Sequence, residues 1–213
     1  MHPAALVRPG RPSGMSMSLV PLLIAIALAA WLGLVVVLGE RGMFDGVPGQ
    51  PPLPMLAGVV APLLVFLAAW RIPAFRRYAL AADPRFIVAV QGWRVVGFGF
   101  LLLWAYGILP GMFAWPAGLG DMAVGITAPW VLAALLRRPE FARSRSFLLW
   151  NLFGIADLVS ALSLGGLSAF LASGVAGEVS TRPMASLPLL LIPAYLVPLI
   201  LMLEITVLRQ ARA

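Results

Sequence analysis

The chain has 213 residues, of which 62% are hydrophobic and 11% charged, with a net charge of +7 and a mean hydropathy of +0.99. Soluble domains carry about 25% charged residues, so this composition cannot cover a water-facing surface. It excludes an ordinary globular fold.

Apolar runs of about twenty residues recur, the length that crosses roughly 30 Å of hydrocarbon. The expected fold is an all-α membrane protein, a six-transmembrane-helix bundle. Short alternating strands, the mark of a transmembrane barrel, do not occur. There is no cysteine, and all fifteen basic residues are arginine. Disulfides, thiolate chemistry, lysine Schiff bases and lysine-dependent phosphate loops are therefore excluded. The single histidine is His2, so histidine-ligated haem or zinc and Ser-His hydrolysis lack their key residue. Met112, Met122, Met184 and Met202 are scattered without paired spacing and read as packing residues. No cofactor and no metal is expected.

Residues 1–18, rich in Pro, Gly and Arg, read as a disordered cytoplasmic tail. The first span is expected over 19–38. Its apolar run is longer than the 7–15-residue core of a signal peptide, which predicts a retained helix. A loop with Glu40, Arg41, Asp45 and a proline cluster leads to the second span, 55–70. Arg71, Arg76, Arg77 and Arg85, with Asp83, separate it from the third, 86–109, which contains Gln91 and Arg94. The uncharged turn 110–116 precedes the fourth span, 117–136. Arg137, Arg138, Glu140, Arg143 and Arg145 lie between it and the fifth, 146–164. A Gly/Ser-rich connection carrying Glu178 and Arg182 leads to the sixth, 185–208, in which Pro188, Pro193 and Pro198 predict kinks. Residues 209–213 form a short cytoplasmic tail.

Twelve arginines lie on one side of these spans and two on the other. By the positive-inside rule, both ends are expected in the cytoplasm, in a multi-pass protein of the cytoplasmic (inner) membrane. The expected partners are the lipid bilayer and a membrane-protein partner or second copy. The arginines form no basic face interleaved with aromatics, so nucleic acid is not expected.

Ionisable groups within spans are costly and mark sites. Arg94 and Asp157 lie at depths within about 5 Å of each other when counted at 1.5 Å per residue. An ion pair between them, assisted by Gln91 or Asn151, is the central expectation. Asp121, near the start of the fourth span, is expected toward the outer side. Small neighbours one turn away, Gly97, Gly118, Gly125, Gly154 and Ala161, predict that these charges face other helices. Glu204, flanked by Ile200, Leu201, Val207 and Leu208, is expected at the cytoplasmic interface, snorkelling or paired with an arginine.

The stretch Gly118-Leu119-Gly120-Asp121 resembles the Gly-x-Gly-Asp signature of presenilin-type and prepilin-type intramembrane aspartyl proteases, and Pro193-Ala194 loosely resembles the Pro-Ala-Leu element of the presenilin group. The resemblance implies an aspartate dyad of Asp121 and Asp157 activating water. Several features depart from that pattern. Tyr195 replaces the Leu, Asp157 follows the motif instead of preceding it, and no Tyr-Asp pair occurs. Depth counting also sets the two aspartates about 8 Å apart along the normal. The sequence best fits a structural or accessory membrane protein with a buried Arg-Asp cluster among the third, fourth and fifth spans. A proton- or cation-linked small-solute transporter using Asp157 and Asp121 is the alternative, and an aspartyl protease the third.

Overall fold

The computed structural model describes residues 15–211, so residues 1–14 of the tail expected over 1–18, and the last two residues, lie outside them. Residues 15–18 are not part of a tail but the start of the first helix. The protein is all-α, and no strand occurs among the described residues. Eight α-helices follow in order: α1 Met15–Glu40, α2 Leu53–Ala69, α3 Pro73–Leu80, α4 Pro84–Gln91, α5 Phe98–Ala105, α6 Gly111–Arg137, α7 Arg145–Leu171 and α8 Val197–Gln210. Five segments are long and apolar enough to cross a membrane, and α2 with α3 makes a sixth if that bent pair is one span.

The third expected span is not one continuous helix. Between α4 and α5 the backbone winds as a 3₁₀ segment, Gly92–Gly97, and Arg94 sits in its middle. The second span ends at Ala69, within a residue of its expected end, and Pro73, which lacks the N–H a continuing helix needs, opens a separate helix beyond it. After Ala69 the chain turns by 100° into α3. Phe66, Trp70 and Phe75 pack edge-to-face across the bend. The Arg209 guanidinium lies 4.7 Å above the Trp70 ring, and the Gln210 amide donates to the carbonyls of Ala79, Leu80 and Ala82. The end of α8 thereby supplies donors to the last two carbonyls of α3 and to that of Ala82 just beyond it.

Two expected boundaries also move. The turn placed at 110–116 is helical from Gly111 onward, with Pro116 tolerated inside α6. The glycines Gly165 and Gly166 do not end the fifth span, which runs on to Leu171. The last span is shorter than expected. A 3₁₀ turn, Arg182–Ala185, and a π-helical segment, Ile192–Leu196, precede α8. Pro193 lies in the π segment and Pro198 in the first turn of α8, where a missing N–H costs nothing.

Helix α6 packs on α4, the 3₁₀ segment, α5 and α7, while α8 packs on α7, α4 and α2. Buried residues recur at helical spacing on the inward faces, as in Phe147, Asn151, Gly154, Asp157 and Leu158 of α7. More than half of the α8 span is buried against 6% of α1, so α8 is central and α1 peripheral. Two apolar layers close the bundle. Ile87, Val88, Ala128, Leu135, Phe147 and Val207 make one. Phe100, Leu109, Phe113, Ala114, Ala117 and Met184 make the other. Arg94 lies between the layers, since 87–88 precede it in the same span and Phe100 follows.

Outside the spans, the loop after α7 is held by Glu178, which accepts hydrogen bonds from the Ser173 and Gly174 amides and the Ser173 hydroxyl. The Ser173 amide first, then that of Gly174, holds this carboxyl below the ordinary glutamate range. The loop's tether is therefore complete above that range and lost as pH falls through the lowered folded value. Hydrogen exchange, corrected for its intrinsic pH dependence, should show the Ser173 and Gly174 amides protected at neutral pH and released in acid. Glu178→Gln should remove the pH dependence.

Candidate functional site: a guanidinium shared by three carboxyl groups

Arg94 projects from the 3₁₀ segment with its side chain 1% exposed, and each of its nitrogens meets a carboxyl from a different helix. Nε donates to Asp121 Oδ1 of α6 at 2.7 Å. Nη2 donates to Asp157 Oδ2 of α7. Nη1 donates to Glu204 Oε1 of α8 at 3.2 Å. Gln91, one turn back on α4, adds a bond from Nε2 to the same Glu204 oxygen at 3.1 Å. The planar fork of an arginine suits such multiple recognition. Four consecutive spans of the bundle thus meet at one guanidinium, which one of them carries.

Glycine makes the convergence possible. A Cβ at Gly97 would overlap the Asp121 side chain, and one at Gly120 would overlap the Asp157 carboxylate. At Gly125 it would run into the backbone of Arg94 and Val95, and at Gly154 into the Glu204 carboxyl. Gly118 faces Leu101 and the Gly97 carbonyl. Close approach of this kind is the established use of small residues between membrane helices. Ala161 lies farther along α7, packed on the apolar layer that contains Phe100 and Phe113.

The placements differ from the sequence expectations at three residues. Asp121 was expected near the outer end of its span, yet α6 begins at Gly111, which puts it about 15 Å along the helix. It therefore shares the guanidinium with Asp157 and is not offset by a turn and a half. Glu204, expected at the interface, is fully buried. Its own helix carries bulky apolar neighbours, and the space it occupies is provided across the interface by Gly154. Asn151 does not reach the centre, since its Nδ2 donates to the Phe147 carbonyl on its own helix at 2.9 Å. The one hint of Glu204 in the sequence was its charge inside an apolar run.

The Gly-x-Gly-Asp stretch finds its use in packing. Gly118 and Gly120 admit the neighbouring segments, and Asp121 and Asp157 each turn to a separate nitrogen of Arg94. In an aspartyl dyad the two carboxyls share a proton with each other. Among the described residues, no group of three or more His, Cys, Asp or Glu has the arrangement to hold a metal ion. Two surface recesses lie away from the centre. One is bordered by Phe44, Asp45, Gln50 and Arg182, and the other by Leu80, Arg143, Phe147 and Gln210.

A sequence model described as "Domain of unknown function (DUF8737)" matches residues 51–212. The chain belongs to the DUF8737 family. The DUF8737 match covers Arg94 with the carboxamide of Gln91 and the carboxyls of Asp121, Asp157 and Glu204, and leaves α1 outside it. Comparison with curated proteins and with solved structures finds no match. The DUF8737 chain is thus a helical, multi-pass membrane protein by its spans, and its site must be read from its own chemistry.

Removing one member of a buried ion network leaves the others uncompensated, at a cost of about 3–5 kcal/mol. Arg94→Met should lower stability by that order, followed by tryptophan fluorescence during denaturant titration in detergent. Adding Asp157→Asn to Arg94→Met should recover part of the loss, because one carboxylate fewer is stranded. A double variant whose losses simply add would show that the two side chains are not coupled.

Proposed function

We propose that this DUF8737 protein serves a structural or accessory role in the cytoplasmic membrane, with the Arg94 centre acting as a clasp that fixes the packing of its spans. The observation that carries this reading is the convergence of Asp121, Asp157 and Glu204, from three helices, on one buried guanidinium. The apolar layers on either side support it, as do the glycine contacts that leave no room for even a methyl group. A conduit needs a path for its solute, and this centre is packed by side chains on every helix that forms it. In lipid there is little hydrophobic drive to bring helices together, so polar contacts and close packing must do it. The exposed apolar faces of α1 and α2 suit lipid, a membrane-protein partner or a second copy.

A second reading, proton- or cation-linked transport, draws on one specific feature. Three carboxyls face a single guanidinium, and the Asp121 side chain is 18% exposed while the other two are nearly sealed. Asp121 would then be the entry group. Both readings place the two chain ends in the cytoplasm, on the strength of the arginine distribution.

Proteoliposomes carrying a pH gradient and an internal pH dye separate the two. The clasp reading expects decay no faster than in empty vesicles, whereas a faster decay abolished by Asp121→Asn would establish transport. Because the chain has no cysteine, single cysteines can report the topology. Val175→Cys should react with an impermeant maleimide on intact cells, and Glu140→Cys only after the membrane is opened.

A further inference from the structure

Two atoms at the centre lack a partner. Glu204 is completely buried and Gln91 is 1% exposed, yet Glu204 Oε2 and Gln91 Oε1 accept no hydrogen bond. A buried polar atom left unpaired is costly and calls for an explanation. These two belong to side chains already joined through Gln91 Nε2 and Glu204 Oε1. The carboxyl and the carboxamide are therefore joined by one hydrogen bond, with one acceptor on each left over. Two acceptors cannot satisfy each other unless one of them carries a proton.

Charge leads to the same place. Glu204 is bonded by Arg94 from the 3₁₀ segment and Gln91 from α4, and the same guanidinium binds Asp121 from α6 and Asp157 from α7. With all three acids ionised, one positive charge would confront three negative ones in a dry interior, where uncompensated charge is not sustained. Arg94 also treats the acids unequally. It makes a 2.7 Å bond to Asp121 and a 3.2 Å bond to Glu204, and only the first falls in the range of about 2.7–2.9 Å where a cationic N–H meets an ionised carboxylate.

We propose that Glu204 is a proton-binding site, a neutral carboxylic acid whose Oε2–H donates to Gln91 Oε1 and closes a two-bond acid–amide ring. Oε1 remains the acceptor for Arg94 and for Gln91 Nε2. One proton then satisfies both orphaned atoms and removes one of the excess negative charges. Asp121 and Asp157 are left as the ionic partners of the guanidinium. This inference deepens the clasp reading and rests on it for the location of the site. It also gives the four groups distinct work, with an ionic half on α6 and α7 and a neutral half on α4 and α8.

The test is infrared spectroscopy of the purified protein in lipid at neutral pH. A carbonyl stretch of a hydrogen-bonded carboxylic acid is expected, shifting down in D₂O, absent in Glu204→Gln and moved up in Gln91→Leu. Glu204→Gln should also keep the wild-type unfolding midpoint, because its amide can replace the acid in the ring, while Asp157→Asn lowers it. The proposal is overturned if no such band exists, if it persists in Glu204→Gln, or if Glu204→Gln fails to fold while the band is missing from the wild type. The clasp reading stands or falls separately, on whether Arg94→Met lowers the midpoint.

Discussion

An arginine buried in an apolar bundle dictates the rest of this structure. Taking a guanidinium out of water costs several kcal/mol even after relaxation, so the chain must surround it with acceptors or lose the fold. Here three carboxyls answer one cation, and they come from helices far apart in sequence. Every other feature of the interior follows from letting those groups meet. The glycines on α6 and α7 remove the Cβ atoms that would keep the helices apart. The apolar layers above and below keep water from competing for the same donors.

The local winding around Arg94 belongs to the same solution. Gly92 and Gly97 bound a 3₁₀ segment, and such a stretch within a longer helix commonly marks strain or function. Its proximity to Gly125, which touches the backbone of Arg94 and Val95, presses α6 against the turn that carries the charge. The guanidinium is held from behind by backbone contact and in front by hydrogen bonds. That arrangement favours a rigid centre over a moving one.

Much of this was legible from residue types alone. Apolar run lengths gave the spans, and the rarity of charges in them singled out Arg94, Asp157 and Asp121. What could not be read was which helix face meets which. Glu204 sits among leucine and isoleucine on its own helix, and the cavity that receives it belongs to Gly154 on another. Spacing misplaces Asp121 in depth because Pro110 and Pro116 look like a loop, whereas Pro110 is the N-cap and Pro116 is carried inside α6, as membrane helices tolerate. Asn151 has the right chemistry on the right face, and its amide is used by the carbonyl one turn below. Sequence spacing locates a residue on its own helix, whereas contact depends on rotations and offsets between helices that spacing does not encode.

The tightened segment also bears on how this protein fits its bilayer. A 3₁₀ turn rises about 2.0 Å per residue against 1.5 Å in an α-helix, so six residues wound this way lengthen the Pro84–Ala105 span by about 3 Å. Bilayers sort proteins over thickness differences of that size. The same residues that aim Arg94 at its partners therefore help to set the hydrocarbon depth at which this span sits without tilting or thinning the surrounding lipid.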